Sequence, residues 1–123
     1  GCGGLGAVSR APIGILRQDP NTRPLIDACL HETVAVANAH GIDLGPNILP
    51  QTWDFIDSLE ATGTSSLQRD ITAGRPSELD AWNGAVVRFG RRYGVPTPHH
   101  DLITSVLRPL ERRARGEIEF QPT

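Results

Sequence analysis

The chain has 123 residues, 38% of them hydrophobic and 21% charged, with a net charge of −2, which suits one soluble domain around a single modest core (residues 1–123) and leaves no room for two. No run approaches the roughly 18 apolar residues of a membrane span, and no charged start followed by an apolar stretch marks a secretory signal; an unexported, cytoplasmic protein without a membrane partner is expected. Twelve basic against 14 acidic residues give no overall attraction to nucleic acid.

Methionine is absent, which predicts a fragment of a longer chain, and all 12 basic residues are Arg. Without Lys, these residues cannot supply a Schiff base, a lysine general acid or a P-loop lysine. The opening Gly1-Cys2-Gly3-Gly4-Leu5-Gly6 matches G-x-G-x-x-G letter for letter. That fingerprint works only between a strand and a helix of a βαβ unit, and the spacing that follows is helical. The glycines therefore read as a close helix contact or a frayed terminus, and no cofactor-binding residue is assigned to them. Cys2 and Cys29 lie far apart with no CxxC and no ligand series around them, so both read as reduced thiols rather than a disulfide.

Ile26, Cys29, Leu30, Thr33 and Ala37 recur at offsets 0, 3, 4, 7 and 11, between Pro24 and His40-Gly41, which predicts a helix. Thr52, Phe55, Ile56 and Leu59 repeat the pattern after Pro50 and predict a shorter one. Ser65 with Gln68 three residues on is a capping-box pairing, opening a short helix that runs to Ala73-Gly74. Leu79, Trp82, Val86, Phe89 and Tyr93, at offsets 0, 3, 7, 10 and 14, predict a central helix anchored by three aromatics, with Ser77 as its N-cap. Ile103, Val106, Leu107 and Leu110 form a last stripe that Pro109 is expected to end near Arg108, with fraying from Glu111 onward. No alternating β-branched run is long enough for a sheet. The fold class is all-α, a compact domain of about five or six helices.

Four sets of residues invite a chemical reading. Ser65 is used as a cap, which leaves Ser66, one position on, as the candidate ligand contact. Glu78 stands in a first helical turn, where the dipole alone favours an acid; a functional Glu78 would accept a hydrogen bond or act as an acid/base partner. Gly84, mid-helix, implies close helix packing. His99-His100-Asp101 and His31-Glu32 lack HxxxH or HExxH spacing, so no metal ligand is assigned, and Asp101 is expected to cap the last helix. Arg108, Arg112, Arg113 and Arg115 are interleaved with Glu111, Glu117 and Glu119, which suits a helix C-terminus better than nucleic acid.

The stretch from Thr64 to Gly84, TSSLQRDITAGRPSELDAWNG, resembles the signature of the C-terminal domain of ketopantoate reductases (2-dehydropantoate 2-reductases). Ala11-Pro12-Ile13-Gly14 and Gly94-Val95-Pro96-Thr97-Pro98 also sit where that family has similar segments. The resemblance implies an all-helical domain and an NADPH-dependent reduction of the ketone of a 2-oxo acid. The cleft lies between this domain and an N-terminal Rossmann domain that binds most of the cofactor and is absent from this chain. Carried over by motif position, Ser66 contacts the substrate and Glu78 hydrogen-bonds it or acts with the general acid. That general acid is a lysine on the helix leading towards Gly1, followed in the family by asparagines. Here the region offers Gly3 and its glycine-rich neighbours instead, which points to a bulkier or less polar 2-oxo acid. The resemblance also implies a possible homodimer. The alternative is a helical protein-interaction module that keeps the fold without catalysis.

Overall fold

A computed structural model describes residues 3–121, and among them every regular element is helical: α1 (Gly3–Ser9), α2 (Ile13–Leu16), α3 (Arg23–Ala39), α4 (Ile48–Ser58), α5 (Ser66–Thr72), a π-helical turn (Asp80–Gly84) running into α6 (Ala85–Tyr93), and α7 (Pro98–Ala114). The all-α reading holds, with α1 and α2 added at a start that carries no apolar periodicity. Cys29 is buried in the core; Cys2 and Gly1 lie outside the described residues.

Helix α1 is short and glycine-rich, so its own propensity is poor. It forms because its glycines permit contact that a side chain would block. A Cβ on Gly4 would lie 2.4 Å from Ile103 Cγ2, and one on Gly3 2.7 Å from Ser65 Oγ. Helix α1 therefore sits directly on α5 and α7, the close-contact reading of the glycines. Ala7, Cys29, Leu67, Ile71, Leu79, Ile103 and Leu107 form one apolar cluster, and Leu16, Ile26 and Ile56 a second. Leu5 of α1 packs against both.

Two of the three predicted aromatic anchors do not hold, and the third, Tyr93, is half-buried. Trp82 is 68% exposed and Phe89 is also exposed, whereas the buried positions are Leu79, Asn83, Val87 and Gly90. Each of the last three stands one residue beyond its predicted counterpart, 83 for 82, 87 for 86 and 90 for 89. The π turn is the cause, because its wider i→i+5 bonding inserts one residue and rotates everything after it. Gly84 is crowded from its own segment, its Cβ position being 3.1 Å from Asp80 Oδ1 and 3.0 Å from Arg88 Nη1.

Pro109 does not end α7, nor does the chain fray at Glu111. The helix continues to Ala114 with Glu111 buried. That carboxylate accepts from Ser77 N at 2.9 Å, from Ser77 Oγ and from Arg115 Nε at 2.8 Å, while Arg115 Nη2 donates to Ser77 O at 3.1 Å. A clamp two residues past the proline thus offsets the lost amide donor, and Ser105, whose carbonyl loses that donor, lies at the surface.

The start of α7 departs from expectation as well. Asp101 does not cap it; its Oδ1 accepts from Thr97 Oγ1 at 3.0 Å. The cap comes from α3. Glu32 accepts from His99 N at 3.0 Å and His100 N at 3.1 Å, and its two oxygens lie 2.6 and 2.8 Å from the Nδ1 atoms of His99 and His100. The histidines that lacked metal spacing are thus both turned onto one buried carboxylate.

Candidate functional site

The region singled out by the signature begins at α5. Ser65 caps it as expected, its Oγ accepting from Gln68 N at 3.1 Å. The reciprocal half of the capping box is absent, because Gln68 Nε2 donates instead to Ala11 O at 3.1 Å and ties α5 to the chain after α1. Gly6 makes room for that buried amide: a Cβ there would stand 2.1 Å from Gln68 Oε1. Arg69 Nη1 closes the approach by donating to Thr64 O at 2.5 Å.

Beside this start lies a cavity of about 580 Å³, bounded by Gly3 and Gly6 of α1, by Ile13 and Leu16 of α2, by Phe55, Ile56 and Leu59 of α4, and by Thr64, Ser65 and Gln68. Its walls are mainly apolar, and Thr52, Glu60, Thr64, Ser65 and Gln68 are the polar residues lining it. The stripe predicted to bury α4 faces this space: Ile56 is buried, but Phe55 is 63% exposed and Leu59 exposed too. No periodicity distinguishes a helix face that lines a cavity from one that fills a core, so this feature was illegible in the sequence.

Ser66 is the first residue of α5 and is exposed, next to the lining residue Ser65. Glu78 is exposed just before the π turn, its carbonyl accepting from Trp82 N at 3.0 Å. Neither side chain has a hydrogen bond or ion pair among the described residues, and neither lines the cavity. Of the glycine-rich opening, Gly3, Gly4 and Gly6 face the Ser65, Ile103 and Gln68 side chains, and Gly1 and Cys2 lie outside the described residues.

Electrostatics concentrates elsewhere. Burial raises the Glu32 carboxyl's pKa, but the His100 ring and the backbone amides of His99 and His100 outweigh it and hold the group below its ordinary range. Burial pushes His100 down, against the upward pull of Glu32. Together these directions describe a carboxylate accepting from a neutral imidazole whose proton sits on Nδ1. At the π turn, the hydrogen bonds from Arg108 hold the Asp80 carboxyl low against partial burial.

Residues 1–111 match the family model described as ketopantoate reductase PanE/ApbA C terminal. A 2-dehydropantoate 2-reductase of Caulobacter vibrioides is 32% identical over 105 residues, covering 85% of this chain and 36% of that protein. A PanE/ApbA family ketopantoate reductase from Ralstonia eutropha superposes with a TM-score of 0.81 at 27% identity, over 93% of this chain and 39% of the other. A ternary structure of D-mandelate dehydrogenase with NADH and anilino(oxo)acetate superposes with a TM-score of 0.79 at 25% identity, over 93% of this chain and 38% of the other. The chain thus spans little more than a third of the length of these relatives. The helices around α5, the glycine-faced α1 and the match from residue 1 to 111 agree, and the chain belongs to the ketopantoate reductase family as its C-terminal part.

Proposed function

We propose that this chain is the substrate-holding helical domain of a cytoplasmic, homodimeric reductase that uses NADPH to reduce the ketone of a 2-oxo acid. The observation that carries the reading is the family match over residues 1–111. Ser66 contacts the substrate, and Glu78 hydrogen-bonds it and assists the general acid; both are exposed and without a side-chain partner among the described residues. Reduction builds negative charge on the carbonyl oxygen, so a proton donor within hydrogen-bonding reach is required. No lysine is among the 123 residues, and in this reading the proton comes from a part of the protein outside them, as does the hold on the nicotinamide cofactor.

The apolar cavity beside Ser65 receives the substituent of the 2-oxo acid. Ile13, Leu16, Phe55 and Leu59 offer it no polar partner, which favours a bulkier, less polar substrate than ketopantoate. The likeness to a D-mandelate dehydrogenase in complex with anilino(oxo)acetate supports that choice. The test is turnover of the full-length protein with NADPH and, separately, NADH against ketopantoate and phenyl-substituted 2-oxo acids. Phenyl-bearing acids are expected to give the higher kcat/KM, and equal or better use of ketopantoate would reject the cavity's role. The absent lysine favours a second reading, a helical interaction module without catalysis, which predicts that no 2-oxo acid is reduced with either nucleotide.

A further inference from the structure

The segment from the π turn through α6 and the helix α7 face each other with the same spacing. Gly84, Val87, Arg88 and Arg91 on one side, and Asp101, Thr104, Ser105 and Arg108 on the other, stand at offsets 0, 3, 4 and 7 and enclose a groove of about 270 Å³. The floor is buried at Gly84, Val87 and Thr104. Three guanidinium groups ring it.

These groups are unequally committed. Arg108 is held in a fork by Asp80, at 2.8 and 3.3 Å. Arg88 spends Nη2 on Asp80 O at 3.0 Å, which leaves its remaining N–H groups. Arg91 makes no side-chain hydrogen bond or ion pair among the described residues. The carboxylate on the wall, Asp101, is engaged by Thr97 Oγ1 at 3.0 Å. Thr104 is only 5% exposed, and its hydroxyl has no hydrogen-bond partner. A buried hydroxyl without a partner is uncommon, since the desolvation it suffers is normally compensated.

We propose that this groove binds a small dianionic phosphate, with Arg91 and Arg88 supplying charge-assisted N–H donors above the buried Thr104. Guanidinium groups match phosphate oxygens in geometry and keep their charge. Drug-sized ligands occupy roughly 300–1,000 Å³, so the groove is scaled to a phosphate group or a short phosphomonoester. The proposal is independent of the reaction read at α5.

The test titrates inorganic phosphate, and separately phenyl phosphate, into the ¹⁵N-labelled 123-residue chain at fixed ionic strength with chloride as control. Saturable shifts centred on the Gly84, Thr104 and Ser105 amides are expected from at least one phosphate and not from chloride. The stronger of the two phosphates tells a free ion from an esterified one. Arg91→Ala is expected to weaken binding about tenfold, and Arg88→Ala several-fold. Shifts that do not saturate, or an affinity unchanged in either variant with the spectrum otherwise intact, would overturn the proposal.

Discussion

Glu32 shows how much one side chain can carry. Its carboxylate replaces the missing intrahelical partners of two amides at the start of α7 and holds two imidazoles as well. Replacing it with Ala leaves the buried His100 donors and the half-buried His99 donors without an acceptor, and Glu32→Ala is expected to lower stability by about 2–3 kcal/mol, measured by urea unfolding, with Glu32→Gln in between. The pH dependence follows from the shifts. His100 in the folded chain has a pKa below its ordinary value of about 6.5, so between those two values the unfolded chain binds more protons and stability falls as pH falls. Glu32 is depressed too, and its share of stability is lost at lower pH still, below about 4.3. Melting temperature is therefore expected to drop in two stages below neutrality, and His100→Asn should flatten the first. The exposed Glu78 behaves oppositely: Glu78→Ala is expected to move stability by less than about 0.5 kcal/mol while strongly reducing turnover of the full-length protein. Unchanged turnover would reject its proposed role.

At the scale of elements, the clearest lesson is the π turn. Periodicity located the helix from Leu79 onward, yet misassigned its inward face because one inserted residue displaces every later position. Nothing in Asp80-Ala81-Trp82-Asn83-Gly84 announces that insertion locally; it shows only once Leu79 and Val87 must both reach a core. Pro109 was legible as a liability and misread in its effect, because the compensating clamp joins Glu111 to Ser77 across 34 residues. Two variants separate these effects. Pro109→Ala restores an amide donor to an exposed helical position and is expected to stabilise by at least about 1 kcal/mol. Gly4→Val, whose Cβ meets Ile103, is expected to destabilise by about 1–3 kcal/mol through overpacking. Thermal unfolding of the two checks both signs.

At the scale of the molecule, five of the seven α-helices and the family were legible in the sequence, α1 and α2 were not, and the site was legible only in part. Helical spacing, the Ser65 cap, Gly94 at the end of α6 and the signature from Thr64 to Gly84 are local, and local physics needs only neighbouring residues to be read. The positions named from the signature, Ser66 and Glu78, are exposed, and their partnership remains part of the proposal. Three features depended on the tertiary structure: the apolar cavity beside Ser65, the arginine-lined groove between α6 and α7, and the Glu32 cap on α7. Each joins residues far apart in sequence, such as Gly6 with Gln68 or Glu32 with His100. A hydrogen bond or a cavity wall between distant segments is set by how whole helices pack, and a chain read residue by residue carries no term for that.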